Sequence, residues 1–463
     1  MLATLFVGLT IVLLRTENSF GGADHFSHFY IAHWAWTYPD LLFHHWGKPV
    51  FTILVSPFAQ LGIDGARFYN LCVGLLTACL AWRIALHMQL SHAWVVIILV
   101  VFTPIYFVSM FTSLTEVTFS CFIVLAILLF LKQRYLWASV VASLLPIIRN
   151  EGIVVLPLFV AAFLLAGRGR AVPLLATGFA VISIAGWPFK DSLGWLITEM
   201  PDAGEMRDVY GSGELLHFVT SLPNVLGPTT GLLCLVGGIV LVGRWVTRER
   251  GRLGDTFYFI LLVVGSFVTF VGAHSVAWWQ GIGLGLIRVT AAVAPLAALT
   301  AAVGVSRLVD IERRGWSLVV GPVVALLVAK GSYDATQVYR SGFRLDPQTT
   351  LMNEAVDYVV ESGLGVNRIH YYVGYVGMRL GLDPRDERRG RLLHRRKRQE
   401  VGRMPDGSLI VWDAHFGPNE GRTPLESLLK HPELRVVKRF RPEQPVTVLG
   451  GHDYEIVIFQ KKS

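Results

Sequence analysis

Long apolar runs alternate with short charged connections over most of this sequence. No charged residue occurs from Val289 to Ser306 or from Ala171 to Phe189. Each run approaches the roughly 20 residues that an α-helix needs to cross ~30 Å of hydrocarbon. Because such runs recur, the pattern predicts ten or eleven transmembrane helices. The predicted spans are 1–15, 67–88, 93–111, 115–131, 135–149, 151–167, 171–189, 221–243, 256–273, 287–306 and 315–331.

The first apolar segment allows two interpretations. Residues Met1 to Leu14 are short for a full span, and they lack both a basic beginning and a clear small-residue cleavage site. We interpret the segment as the first transmembrane helix, and a cleaved signal peptide is the alternative.

The pattern changes near residue 340, where shorter apolar stretches alternate with polar ones. Helical spacing over 348–361 and 423–430 predicts two helices, and four β-rich stretches predict strands. We therefore expect a helical polytopic domain over 1–335, followed by a small α/β domain over 340–463 that is large enough for its own core. The predicted strands are 368–373, 408–412, 434–440 and 454–459.

Composition supports a membrane protein. Hydrophobic residues make up 53% of the chain and charged residues only 16%, whereas soluble domains are about one quarter charged. The mean hydropathy is +0.51. All four cysteines lie inside apolar runs, so they indicate buried apolar side chains and no zinc or disulfide pattern.

The positions of basic residues predict the orientation in the membrane. Alternate connections are rich in arginine and lysine, which marks their side as cytoplasmic. With eleven spans, the C-terminal domain then lies outside the cytoplasm. Merging the two short helices around Arg149 would reverse everything downstream. The basic connections contain Lys132, Arg134, Arg168, Arg170, Arg244, Arg248, Arg250, Arg252, Arg307, Arg313 and Arg314.

The long first external loop, 16–66, contains the first candidates for chemistry. Asp24 follows Gly21 and Gly22 and precedes a predicted helix, so it could cap that helix or act as a general base on a hydroxyl. Asp24 and His28 would share a helix face, which is compatible with a divalent metal, although no cofactor is required by the pattern. Lys48 could bind a phosphate or extend toward the membrane surface.

Further candidates lie at the same predicted membrane face. Glu116 is either a functional carboxylate or the last residue of a Ser-x-x-Glu capping box beginning at Ser113. Arg149 could bind a phosphate through its guanidinium or pair with Glu151. Arg288 begins the next apolar run. The preceding loop contains His274 and Trp278, and the tryptophan could stack on a sugar or anchor at the membrane surface.

Nine basic and three acidic residues fall between Arg385 and Arg403. On an external domain such a segment favours anionic lipid headgroups or an acidic glycan, and not a nucleic acid. A solvated surface segment is the simpler interpretation.

The order of these motifs along residues 1–330 resembles the GT-C superfamily of polyprenyl-phosphate-sugar glycosyltransferases, such as protein O-mannosyltransferases and aminoarabinose transferases. The resemblance rests on Asp24 in a long first external loop, Lys48-Pro49, Thr115-Glu116, Arg149-x-Glu-Gly, and Arg288 followed by Pro295. Many members have Asp-Glu in the first loop, whereas this chain has Asp24-His25, which leaves Glu116 as the candidate second carboxylate.

The resemblance implies an inverting glycosyltransferase in a bacterial cytoplasmic membrane. It implies a lipid-linked phosphosugar donor, a glycan, lipid or protein acceptor, and Asp24 as the base. Arg149, Lys48 and Arg288 would bind the leaving phosphate, with His28, His274 and Trp278 as further substrate contacts. Two alternatives stay open: a transporter or flippase for a lipid-linked glycan, and a non-enzymatic partner in glycan assembly.

Overall fold

A computed structural model describes residues 1–200, 209–310, 317–393 and 401–462. Arg313 and Arg314 of the predicted cytoplasmic connections, and residues 394–400 of the basic C-terminal segment, lie outside the described residues. The described chain has a helical part, which ends at Val338, and a smaller part built on a β-sheet.

The helical part begins with eleven α-helices before residue 190. Most end at a proline or glycine, or at a charged connection, as their sequences predict. The helices are α1 (Leu2–Arg15), α2 (Ala23–Trp34), α3 (Pro49–Ala59), α4 (Ile63–His87), α5 (Val95–Val101), α6 (Pro104–Ser109), α7 (Glu116–Leu131), α8 (Tyr135–Ala142), α9 (Leu145–Ile148), α10 (Leu156–Leu165) and α11 (Thr177–Gly186).

The rest of the helical part contains the longest apolar helices. One of them includes a π-helical stretch, Ile260–Val264, within an otherwise continuous helix. Short 3₁₀ segments connect several elements, among them Asn150–Val155 and Ile287–Ala292. The helices are α12 (Trp195–Thr198), α13 (His217–Thr220), α14 (Leu222–Leu226), α15 (Pro228–Thr247), α16 (Asp255–Trp279), α17 (Ala294–Val309) and α18 (Ser317–Val338).

Helical segments occupy all eleven predicted spans within the described residues, but several spans are broken. In the part of the chain that the structure describes, four helical stretches are long and apolar enough to cross a membrane: Ile63–His87, Gly169–Phe189, Pro228–Thr247 and Asp255–Trp279. Their exposed apolar side chains, such as Ile239 at 74%, suit contact with lipid. The chain is therefore a multi-pass membrane protein, and the number of spans stays a prediction.

The predicted break at Arg149 is a tight turn between α9 and a 3₁₀ segment. Gly152 lies against the backbone of Leu145, where an added Cβ atom would lie 2.5 Å from the Leu145 carbonyl carbon. The turn therefore needs a residue without a side chain at this position. It keeps Arg149 and Glu151 close to the N-terminal end of α7.

The second part contains a five-stranded mixed sheet in the order β2-β1-β3-β5-β4. The helix expected over 348–361 is α19 (Pro347–Glu361), which Asp346 caps through its side chain. The four predicted strands are present, and the short β2 is an addition. The other elements are β1 (Ile369–Tyr371), α20 (Gly374–Arg379), β2 (Gly390–Leu392), β3 (Leu409–Asp413), α21 (Leu425–Leu429), β4 (Leu434–Phe440) and β5 (Ile456–Lys461).

Helix α2 packs against both parts. Phe26 belongs to the core of the sheet part, and its ring centroid lies 4.4 Å from that of Tyr375. Tyr30 donates a hydrogen bond to the Leu382 carbonyl over 2.6 Å. On its other side, Phe29 packs in a cluster with Phe51 of α3. The position of Asp24 is therefore fixed from both sides of the helix.

Helices α15 and α17 approach each other closely. An added Cβ atom at Gly237 would lie 1.9 Å from the Thr300 carbonyl oxygen, and one at Gly304 would lie 2.4 Å from that of Leu233. Small residues at such a crossing let two membrane helices pack backbone to backbone.

Replacing Gly237 by Val should separate α15 from α17 and lower the melting temperature, because overpacking typically costs about 1–3 kcal/mol. Gly238→Val is the matched control, since an added Cβ atom there has no neighbour within 4 Å. Size-exclusion profiles and melting of the two purified variants check this. Equal behaviour of the two variants would contradict the close crossing.

Candidate active site

Asp24 lies in the first turn of α2 and does not cap the helix. The N-cap residue is Gly22, and no side chain caps this end, so the predicted capping role of Asp24 is wrong. The chain enters the helix through Gly21 and Gly22, which both have positive φ angles, 95° and 55°. Because α2 begins at Ala23, Asp24 is the second residue of the helix. Its carboxylate contacts Arg288.

A chain of ionic contacts links five side chains that are far apart in sequence. Arg288 contacts Asp24 and lies 3.4 Å from Glu116, measured from Nη1 to Oε1. Arg149 contacts Glu116 over 2.8 Å and Glu151 over 3.0 Å. The two arginines therefore alternate with three carboxylates. The positive charges of Arg149 and Arg288, which the sequence predicts to bind a phosphate, are therefore compensated by these carboxylates.

Glu116 is the centre of this chain. Its side chain is fully buried between Arg149 and Arg288. The predicted capping box is wrong, because α7 begins at Glu116 itself with Thr115 as N-cap. Thr115 instead accepts a hydrogen bond from Arg149 over 2.9 Å. A buried carboxylate is stable only when paired, and Glu116 has two cationic partners.

Lys48 lies beside this chain of ionic contacts, immediately before α3. Its Nζ atom donates to Asn150 Oδ1 over 3.0 Å, next to Arg149 and Glu151. Its backbone has a positive φ of 61°, which is uncommon for a residue other than glycine. Burial lowers the pKa of Lys48 to about 8, although the Glu151 carboxylate opposes that shift. Lys48 is therefore a third cation at this face.

The remaining sequence candidates are more peripheral. His274 Nε2 lies 3.9 Å from Glu151, and its ring packs near Phe270. Trp278 packs on Gly213 and Gly285, so it fills a loop instead of facing open space. His28 packs edge-on against Phe51. Burial lowers the pKa of His28 to about 3, so it is neutral near pH 7.

A cavity of about 590 Å³ lies between the helical part and the sheet part. Asp24 and Arg288 line its helical side. The opposite wall comes from the sheet part and from the loop before α13, and it is both aromatic and polar. Tyr210, for example, donates a hydrogen bond to Glu420 over 3.0 Å. Other lining residues include Trp46, Gln348, Tyr375, His415 and Phe416.

The opposite wall of the cavity has no signal in the sequence. Tyr210 and Glu420 are 210 residues apart in the chain, and no local motif links them. The sequence is compatible with a metal site at Asp24 and His28, but the described ranges contain no group of three His, Cys, Asp or Glu side chains suited to a metal ion.

The comparisons with known proteins concern the fold. No protein-family model and no curated protein matches the sequence. The structure is similar to the crystal structure of ArnT from Cupriavidus metallidurans in the apo state, with a TM-score of 0.60 and 11% identity, over 99% of this chain and 97% of that one. ArnT is an aminoarabinose transferase of the GT-C superfamily.

A second similar structure is the arabinofuranosyltransferase AftD from Mycobacteria. The TM-score is 0.45 with 12% identity, over 90% of this chain and 35% of that one. The likeness to ArnT extends over nearly the full length of both chains, and it confirms at the level of the fold the resemblance carried by the sequence motifs. This chain therefore shares the fold of the ArnT structure.

Proposed function

We propose that the protein is an inverting membrane glycosyltransferase that takes a sugar from a polyprenyl-phosphate donor, with Asp24 as the general base. One observation carries the proposal. Of the three carboxylates in the ionic chain, Asp24 is the one that lines the cavity between the two parts. Its side chain is 27% exposed, whereas that of Glu116 is fully buried. A base must reach the proton that it accepts.

The cavity suits an acceptor that carries hydroxyl groups. Its walls combine aromatic rings, which can pack on the apolar faces of a sugar, with hydrogen-bonding groups on Gln348, Tyr210 and Glu420. Sugar-like acceptors need this combination, because their hydroxyl groups lose water on binding and must find new partners. We infer that the acceptor hydroxyl approaches Asp24 from this cavity.

The other end of the ionic chain suits the donor phosphate. Glu151, its terminal carboxylate, is 33% exposed and lies outside the lining of the cavity. Lys48 is next to it, and Arg149 and Arg288 follow along the chain. Donor and acceptor would then approach the ionic chain from different sides, as displacement with inversion requires.

In the proposed reaction, the acceptor oxygen forms a bond to the anomeric carbon while its proton passes to Asp24. The bond between that carbon and the phosphate oxygen breaks, and its electron pair stays on the phosphate. The phosphodiester with one negative charge becomes a monoester with two. Fixed cations near that oxygen stabilise the additional charge as it develops.

The contact between Arg288 and Asp24 couples the two substrates. A phosphate that binds Arg288 competes with Asp24 for the same guanidinium. Its arrival would release the carboxylate oxygen, which could then accept the acceptor proton. Glu116 would keep Arg288 and Arg149 in position through contacts of 3.4 and 2.8 Å. We therefore assign Glu116 a positioning role and Asp24 the catalytic one.

The same proposal assigns the orientation. The end of the helical part opposite Asp24 contains the basic connections, including Lys132 and Arg244, and basic connections face the cytoplasm. The reaction would take place at the extracytoplasmic face of a bacterial cytoplasmic membrane, where the sheet part also lies. An alkaline phosphatase fused after the C-terminus would then be active.

Asp24→Asn should lower transfer by ~10²-fold or more, which is the usual scale for losing a general base. Folding should be retained, because Arg288 keeps Glu116 as a partner and Asp24 caps no helix. The measurement is release of polyprenyl phosphate from radiolabelled polyprenyl-phosphate sugars, incubated with membranes that contain the protein.

Asp40→Asn is the control, because Asp40 lies in the same external loop and forms an exposed pair with Arg385. It should leave transfer unchanged. Near-normal transfer by a folded Asp24→Asn protein would rule out Asp24 as the base and direct the same test to Glu116→Gln.

Arg288→Lys tests phosphate binding better than Arg288→Ala, because Ala would leave Asp24 and the buried Glu116 each short of a cation. Lysine keeps the charge but loses the planar pair of donors. Loss of one charge-assisted hydrogen bond, roughly 1.5 kcal/mol, should lower kcat/KM for the donor about tenfold. Arg379→Lys, at an exposed pair with Asp357, is the control. Unchanged donor kinetics in folded Arg288→Lys would contradict the role.

A further inference from the structure

A second charged recess lies at the opposite end of the helical part from Asp24. It has a volume of about 900 Å³, and its walls include four arginines, Arg244, Arg248, Arg250 and Arg252, with two carboxylates, Glu249 and Asp255. The formal charge of this lining is therefore positive. These arginines contribute to the predicted orientation of the protein in the membrane, and the proposed reaction does not involve them.

Three membrane-spanning helices meet at this recess. His87 and Arg244 lie in the last turns of α4 and α15, and Asp255 begins α16. In α16, His274 lies beside Glu151 of the ionic chain, and the 20 residues from Asp255 to His274 span roughly 30 Å of helix. The recess is therefore at the far membrane surface from the proposed active site.

Both carboxylates in the recess already have partners. Glu249 Oε1 lies 3.1 Å from Arg244 Nε and accepts a hydrogen bond from Thr256 over 2.5 Å. Asp255 lies 3.1 Å from His87. In the described part of the chain, no carboxylate pairs with Arg248, Arg250 or Arg252. Three exposed guanidinium groups thus face the recess and can bind an anion.

The surroundings of the recess are apolar, as expected at a lipid surface. Val246 and Leu253 are 56% and 49% exposed on either side of the arginine turn. The Trp245 indole donates to the Arg252 carbonyl over 3.0 Å and closes this turn. An occupant must therefore present an anionic group to the arginines and apolar chains to the neighbouring surface.

The backbone of the turn is strained at the same place. Arg250 has a φ of 49° and is followed by Gly251 at 72°. Left-handed backbone at a residue other than glycine costs on the order of 1 kcal/mol, and such strain concentrates at functional positions. Glycine would suit the conformation of residue 250 better, yet the sequence has an arginine that lines the recess.

We propose that this recess binds the phosphate headgroup of an anionic phospholipid. Arginine binds phosphate oxygens through paired N–H donors, and the exposed apolar residues beside the turn meet the acyl chains. The bound headgroup would bridge the ends of α4, α15 and α16. This site is separate from the proposed donor site and does not depend on the proposed transferase activity.

The test uses the full-length protein in a neutral detergent with equal amounts of phosphatidylglycerol and phosphatidylcholine, and native mass spectrometry counts the bound lipids. The wild-type protein should retain phosphatidylglycerol preferentially. Arg248→Gln/Arg250→Gln/Arg252→Gln should lose roughly tenfold or more of that preference, because each basic residue near an anionic surface contributes about 1 kcal/mol. Raising the salt concentration should weaken the wild-type preference.

The matched control removes the same charge from the same end of the protein: Lys132→Gln/Arg134→Gln/Arg170→Gln. These three residues are exposed and do not line the recess. The control should keep its preference for phosphatidylglycerol within about twofold, since a headgroup bound in the recess does not contact these three residues. An equal loss of preference in both triple variants would contradict a specific lipid site. It would indicate only diffuse electrostatic attraction between the basic surface and anionic lipids.

Arg250→Gly keeps the test decisive if the triple variant does not fold. It removes one guanidinium and also relieves the positive φ, so it should be at least as stable as the wild type. The preference for phosphatidylglycerol should fall about fivefold. An unchanged preference would overturn the proposal. So would displacement of the lipid by millimolar inorganic phosphate, since that would indicate a site for a soluble anion.

Discussion

The alternating chain of arginines and carboxylates is the constraint on which the rest of the structure depends. Glu116 is fully buried, and a buried carboxylate without a partner would destabilise the fold by several kcal/mol. Its partners come from the turn after α9 and from the segment before α17. The close packing of Gly152 on Leu145 and the glycine entry into α2 are local requirements of this arrangement.

The chain of ionic contacts has two accessible ends. Asp24 faces the cavity under the sheet part, and Glu151 with Lys48 lies at the other end of the chain. Helix α2 is packed on both sides, through Phe26 toward the sheet part and Phe29 toward α3. A change in how the sheet part packs would therefore move Asp24. The sheet part is in this sense a component of the site.

The sequence predicts the helices and strands well, because hydrophobic periodicity is a local property. The strand prediction over 434–440 agrees with β4 residue for residue, while β2 is only three residues long and has too little pattern to detect. Both capping predictions, for Asp24 and for Ser113 with Glu116, are wrong for one reason. Each local motif would allow a cap, but both carboxylates instead pair with Arg288. Arg288 is 264 residues from Asp24 in the chain, so no local pattern indicates this pairing. A cavity wall built from Tyr210 and Glu420 has no local signal at all.

The central claim is that one chain of ionic contacts, centred on the buried Glu116, brings a base and a phosphate site together. Determination of a structure with bound polyprenyl phosphate tests it most directly. The account predicts phosphate density within hydrogen-bonding distance of Arg288 on the side of Lys48, with the Asp24 carboxylate released from Arg288 and still lining the cavity. Phosphate density elsewhere, with the contact between Arg288 and Asp24 intact, would contradict the account.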